Sequence, residues 1–113
     1  MSHETPVAIA IHGGSGTITR SMMTSAKEAE IRATLEESVR AGHAALLKGA
    51  TGTEAVRAAI NVMEDSPLFN AGRGAVYNAA GDHEMDASIM EGGGMNAGAV
   101  ASVSRIRNPI DLA

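Results

Sequence analysis

Ser66-Pro67-Leu68-Phe69-Asn70-Ala71-Gly72-Arg73-Gly74 is the stretch at which the hydrophobic period of this chain changes. Before it, apolar residues recur at helical spacing. After it, they alternate as in a strand. Pro67 fixes φ and ends the preceding helix. Gly72 and Gly74 admit backbone shapes that other residues resist. The chain's only Phe stands beside a polar amide, Asn70. Such a loop can turn several carbonyls toward one point or hold one side chain in one place.

N-terminal to it lie two helical patterns. Ser25-Ala26-Lys27-Glu28 has the form of a capping box. Ile31, Leu35, Val39, Gly42 and Leu46 then mark one helix face, opposite Arg32, Glu36, Arg40 and Lys48, and Gly49 closes the helix. Thr51-Gly52-Thr53-Glu54 opens a second helix with the stripe Val56, Ala59, Ile60 and Met63. The short link predicts an antiparallel pair laid on a sheet. Before the helices, Val7-Ala8-Ile9-Ala10-Ile11 is apolar on both faces, as expected of a central strand. It runs into His12-Gly13-Gly14-Ser15-Gly16. Residues 1–6 are polar and expected to fray.

C-terminal to the loop, Ala75-Val76-Tyr77 reads as a short strand and Asn78 to Asp82 as a turn. Glu84 to Met90 alternates, with Met85, Ala87 and Ile89 on one face. Glu91-Gly92-Gly93-Gly94 is a turn, and Met95 to Val103 a strand with Met95, Ala97, Ala99, Ala101 and Val103 aligned. Asn108-Pro109 starts a helix with Pro109 at its first position. The expected class is α+β, with helices on one face of a mainly antiparallel sheet.

The 113 residues amount to one small domain, able to bury somewhat under about 70% of its unfolded surface. Aromatic residues are only 2%, so the core must come from Ala, Val, Ile, Leu and Met. The net charge of −4 and the lack of a basic, aromatic-interleaved patch argue against a nucleic-acid partner. The absence of cysteine excludes disulfides and thiolate metal sites. No apolar run approaches the roughly 18 residues of a membrane span, and no signal-peptide pattern opens the chain. A cytoplasmic location is the default expectation.

The glycine turn after His12 lacks the third glycine of the dinucleotide fingerprint, Thr19 standing in its place, and no phosphate-loop Lys follows. The histidines His3, His12, His43 and His83 show no zinc spacing. His12 borders the glycine turn and is a functional candidate. Asp82, Glu84 and Asp86 are either acid/base material or a solvated strand edge. Ser15 and Thr17 are hydroxyls on a glycine loop without a nucleophile elbow. No complete catalytic set follows from chemistry alone.

Ile11-His12-Gly13-Gly14-Ser15-Gly16, the Ser66–Gly74 stretch, Glu84-Met85-Asp86-Ala87-Ser88-Ile89-Met90, Ala97-Gly98-Ala99-Val100-Ala101 and Asn108-Pro109 occur in this order. Together they closely resemble the plant-type asparaginases, or isoaspartyl (β-aspartyl) peptidases, of the N-terminal-nucleophile hydrolases. The resemblance covers nearly the whole chain from residue 7 onward. It implies a four-layer αββα sandwich and a precursor that cuts itself into α and β subunits. The β subunit begins with a nucleophilic Thr. Its hydroxyl attacks the side-chain amide of asparagine or the isopeptide bond of a β-aspartyl dipeptide, with its own α-amino group as base.

By position, residues 1–113 match the N-terminal portion of the α subunit of a single hydrolase domain. Asn70 matches the asparagine that orients the nucleophile of the other subunit. Gly13 matches a glycine in the loop beside the self-cleavage site. The backbone carbonyls of Met63, Glu64, Ser66, Phe69, Ala71 and Arg73 match those that hold a structural sodium ion, and oxygen-only ligation suits a hard cation. No organic cofactor is implied. The expected partners are a β subunit with N-terminal Thr, a second αβ unit, and a small-molecule substrate. No segment matches the β subunit's start, so catalysis is expected only with that subunit present. A helix that starts four residues before Ala113 is odd for a complete domain, and the resemblance implies that the chain stops before the α subunit normally ends, as an excised piece, a proteolytic product or the ordered part of a longer α chain. The alternative is a non-catalytic stand-alone remnant with a structural or partner-binding role, prone to aggregate through its sheet edge.

Overall fold

The computed structural model describes residues 5–16 and 18–113. The expected fraying therefore falls largely outside the described residues, as do His3 and Thr17. Two helices, α1 (Ser25–Leu47) and α2 (Gly52–Glu64), form one layer. A two-stranded antiparallel sheet, β1 (Met85–Met90) and β2 (Ala97–Val103), lies beyond the loop, and a single-turn helix α3 (Pro109–Leu112) follows. Short 3-10 turns occur at Arg20–Met22 and Gly72–Gly74. The class is α+β.

The first cap lies one residue earlier than expected. Thr24, not Ser25, has the extended backbone of an N-cap, and its side chain accepts from Lys27 N at 3.1 Å. The third helical position is then Lys27, whose ammonium cannot accept a bond, so no reciprocal box forms. On the exposed face Arg32 pairs with Glu28 at 2.9 Å and Arg40 with Glu36 at 2.7 Å. Gly49, at φ +88°, ends the helix. Its N–H reaches Leu46 O, and Ala50 N reaches Ala45 O, both at 3.0 Å, a Schellman closure. The second cap is the expected box: Thr51 N donates to Glu54 Oε2 at 2.8 Å, and Glu54 N to Thr51 Oγ1 at 3.2 Å.

The helices approach closely at Gly42. A side-chain carbon there would overlap Ile9 Cδ1 and lie 3.0 Å from Ala55 O. Fully buried Ser38 donates to the Ala59 carbonyl at 2.7 Å, a second tie between the helices. The deepest residues of α2 are Ala55 and Ala59. Val56 was expected in the buried stripe but is 36% exposed. Val56, Ile60 and Met63 instead line a groove of about 220 Å³ beneath Ile9 to His12.

Residues Val7–Ile11 do not form the expected central strand. They join no ladder, and the sheet consists of β1 and β2 alone among the described residues. Ile9 and Ile11 are half-buried, while Val7, Ala8 and Ala10 are exposed. Ala75-Val76-Tyr77 is likewise not a strand: only Tyr77 pairs, in an isolated bridge to His83, with the two rings 4.1 Å apart. In β2 the expected alignment also breaks. Met95 stays in the turn at φ +55°, and Ala101 and Ser102 together oppose Asp86. Ser102, at φ +53°, donates its N–H to Asp86 Oδ1 at 2.7 Å. This bulge turns Val103 to the inner face, while Ala97, Ala99 and Ala101 stay exposed.

Among the described residues Ala55, Ala59, Phe69, Ala75, Pro109 and Ile110 are buried, a thin core between the helices and the loop. No helix among the described residues is long and apolar enough to cross a membrane.

Candidate active site

The Ser66–Gly74 loop is built from short local bonds. Ser66 N donates to Met63 O at 3.2 Å, and Leu68 N to Ser66 Oγ at 3.2 Å. Ala71 N donates to Phe69 O at 2.8 Å, Gly74 N to Ala71 O at 3.0 Å and Ala75 N to Gly72 O at 3.1 Å. Phe69 is buried and anchors the loop, which leaves the adjacent Asn70 at the surface. Asn70 Oδ1 accepts from Val76 N at 3.0 Å. That bond fixes the amide's orientation and leaves its NH2 group as an outward-facing donor without a partner among the described residues.

The two glycine-containing loops meet at this aromatic ring. A carbon added at Gly13 would lie 3.2 Å from Phe69 Cε1 and 3.1 Å from Leu35 Cδ2. Gly13 therefore sits against the residue next to Asn70, where an added carbon would press on the Phe69 ring and on Leu35. The neighbouring Gly14 has φ +117° and donates its N–H to His12 Nδ1 at 3.2 Å. His12 thus braces its own turn.

Of the six carbonyls, those of Met63 and Glu64 end α2, and those of Ser66, Phe69, Ala71 and Arg73 lie in the loop that follows. Two glycines permit its tight closure. A carbon at Gly72 would overlap the Glu64 carbonyl and stand 2.7 Å from Glu64 Cβ. One at Gly74 would overlap the Phe69 carbonyl and stand 2.9 Å from Pro67 O. Among the described residues, the carbonyls of Glu64, Ser66 and Arg73 accept no backbone hydrogen bond. Those of Met63, Phe69 and Ala71 accept from Ser66, Ala71 and Gly74 and keep a second lone pair. These six groups are neutral oxygen donors with lone pairs to spare, the donor chemistry that a hard cation takes.

The acidic trio does not converge. Glu84 Oε2 accepts from Asn78 Nδ2 at 2.9 Å, Asp86 holds the β2 bulge, and the Asp82 carbonyl accepts from Asn78 N at 2.8 Å. Glu84 and Asp86 are thus engaged with Asn78 and with β2, and Asp82 is tied to its turn through its backbone. His43 is exposed on α1, and Ser15 is exposed on its loop.

The side chains at the loop's root escaped the sequence reading. Glu64 is only 4% exposed. Its carboxylate accepts from Ile110 N and from Asn108 Nδ2, both at 3.1 Å. Burial pushes the Glu64 carboxyl above the ordinary carboxylate range, against these two bonds. Asp65 takes a two-pronged contact from Arg107, at 3.0 and 3.1 Å, and a 3.1 Å bond from Asn108. The Arg107 guanidinium, then Asn108, hold the Asp65 carboxyl below its usual value. A sequence signal did exist: two acidic residues at the C-terminal end of α2, where the helix dipole disfavours them, require partners from elsewhere.

A family model described as asparaginase matches residues 5–113. The chain is 45% identical over 102 residues to an isoaspartyl peptidase of Salmonella typhimurium, covering 90% of this chain and 33% of that protein. It is 47% identical over 110 residues to a plant-type L-asparaginase of Pyrococcus abyssi, covering 95% of this chain and 33% of that protein. It is 42% identical over 108 residues to an isoaspartyl peptidase/L-asparaginase of Danio rerio, covering 96% and 33%. The chain thus spans about a third of the length of the curated relatives it matches.

Proposed function

The chain belongs to the asparaginase family, and on that premise we propose that it is the N-terminal portion of the α subunit of a threonine amidohydrolase. The enzyme hydrolyses L-asparagine to L-aspartate and ammonia and cleaves β-aspartyl dipeptides. Its nucleophile is the N-terminal Thr of a β subunit released by self-cleavage. The whole adopts the αββα sandwich, to which this chain contributes the α1–α2 layer and part of one sheet. Two αβ units associate, in the cytoplasm.

The observation that supports this most is the meeting of the Gly13 and Asn70 loops over the Phe69 ring, with the Asn70 amide pinned by Val76 N at 3.0 Å. A donor held in one orientation on a rigid loop is what a nucleophile-orienting group requires. In the reaction the threonine oxygen adds to the amide carbon, and its proton passes by way of the α-amino group to the departing nitrogen. The C–N bond breaks, ammonia or the amine leaves, and an ester forms. Water then cleaves the ester to aspartate and restores the threonine hydroxyl. Asn70 donates from its amide NH2 toward the nucleophile and takes no proton in either half. Gly13 keeps its loop low enough for the scissile chain to lie beside it.

A sodium ion would be held by the carbonyls of Met63, Glu64, Ser66, Phe69, Ala71 and Arg73. Its contribution when bound is to neutralise converging carbonyl dipoles and stiffen the loop.

The test is aspartate release from asparagine and from a β-aspartyl dipeptide by the full-length protein and its Asn70→Ala variant. Turnover is expected to fall by about two orders of magnitude. Stability should fall by only about 1 kcal/mol, for the lost bond to Val76. Parallel losses of turnover and melting temperature would make Asn70 a structural residue and refute the assignment.

A further inference from the structure

We propose that the buried side chain of Glu64 is a positioning residue for Asn70, clamping the root of the 63–73 loop to α3 so that the Asn70 amide stays presented. The inference rests on the role given above to Asn70, and extends it to a group that touches neither substrate nor nucleophile.

Glu64 is gripped from both sides. Its Oε1 accepts from Ile110 N and its Oε2 from Asn108 Nδ2, both at 3.1 Å. Asn108 Nδ2 also reaches Asp65 Oδ1 at 3.1 Å, so one amide bridges the two carboxylates at the end of α2. On the other side, Gly72 lies directly against the Glu64 backbone. A carbon there would stand 2.7 Å from Glu64 Cβ and 2.8 Å from Glu64 Cα. Gly72 is two residues from Asn70, and Val76, which pins Asn70, follows the same 3-10 turn. Contact therefore runs without a gap from α3 through Glu64 to Gly72 and the Asn70 loop.

The carboxylate satisfies the buried Ile110 N–H in the first turn of α3, and it does so at a cost. It is buried, and it sits at the negative end of the α2 dipole. An apolar side chain packed on Ile110 would avoid desolvating a charge but would leave the Ile110 N–H without this acceptor. What the carboxylate adds is direction. Two acceptor oxygens fix the rotation of α2's last turn relative to α3, which an apolar contact leaves loose.

The test uses the full-length protein with Glu64→Ala, Glu64→Gln and a control, Ser38→Ala, which removes a buried bond elsewhere in the helix layer. The readouts are kcat and KM well below each melting temperature, and hydrogen exchange of the Val76 amide. In Glu64→Ala, kcat should fall at least about tenfold with KM within about twofold, and Val76 exchange should accelerate at least about tenfold. Glu64→Gln, which can still accept from Ile110 N, should fall between. Ser38→Ala should lower the melting temperature and leave kcat and Val76 exchange unchanged. If the Glu64 variants lose stability while kcat and Val76 exchange follow the Ser38 control, the proposal is wrong. Should Glu64→Ala fail to fold, Glu64→Gln decides by the same readouts. Should the wild type hydrolyse neither substrate, the amidohydrolase function fails by itself, and Val76 exchange still decides the clamp.

Discussion

Gly72→Ala measures how tightly the loop closes on the end of α2. Two costs follow from the structure. Gly72 has φ +50°, and an L-residue held in the left-handed region costs about 1–2 kcal/mol. The added carbon would also overlap the Glu64 carbonyl oxygen and lie 2.7 Å from Glu64 Cβ and 2.8 Å from Glu64 Cα. None of these atoms is the free end of a flexible side chain, so backbone must move, at a cost of about 1–3 kcal/mol. The sum is about 2–5 kcal/mol, a large share of the roughly 5–15 kcal/mol that holds a domain together. Gly81→Ala supplies the internal standard. Gly81 has φ +85° with nothing within 4 Å of an added carbon, so only the conformational cost of about 1–2 kcal/mol applies. Urea unfolding of both variants in the full-length protein separates the two costs. Gly72→Ala should be the less stable by about 1–3 kcal/mol. Equal losses would mean that Gly72 does not abut Glu64, and the tight loop would be refuted.

Thr51→Ala removes half of the α2 capping box and should cost about 1 kcal/mol by chemical unfolding. A loss indistinguishable from zero would show that the helix starts elsewhere. The Glu54 carboxyl is held below its ordinary value of 4.5, first by the Thr51 N–H and then by the Thr51 hydroxyl. Because the folded value is depressed, its contribution is complete above 4.5 and is lost as pH falls through the folded value. The stability gap between wild type and Glu54→Gln should therefore be present at neutral pH and vanish in acid, and a pH-independent gap would contradict this. Exchanging sodium for a bulky organic cation should lower the melting temperature and speed Val76 amide exchange, and readdition should reverse both. Identical melting in the two cations would remove the ion from the loop.

What was legible in the sequence was what is local. The α2 capping box, the glycine closure at Gly49 and Pro109 at the first position of α3 are each set by residues within a few positions of one another. The Thr24 cap was misplaced by one residue, because Thr24 and Ser25 are both competent caps and only the backbone distinguishes them. The non-local features were not legible. Val7–Ile11 has the composition of a strand covered on both faces, yet a strand exists only with a partner, and none of the described segments pairs with it. Val103 changes face because Asp86 catches the Ser102 N–H, a contact that no alternation pattern encodes. The grip of Asn108 and Ile110 on Glu64 joins residues 44 and 46 positions apart. Of the candidate site, the resemblance named Asn70 and Gly13, whereas their meeting across the Phe69 ring required coordinates.

N-terminal sequencing of the purified full-length protein tests the central claim most directly. If this chain is the α side of a self-cleaving amidohydrolase, the sample holds two N-termini, one from this sequence and one beginning with threonine. A single uncut polypeptide that nonetheless released aspartate from asparagine would contradict the account, since the nucleophile assigned to the second subunit would not exist.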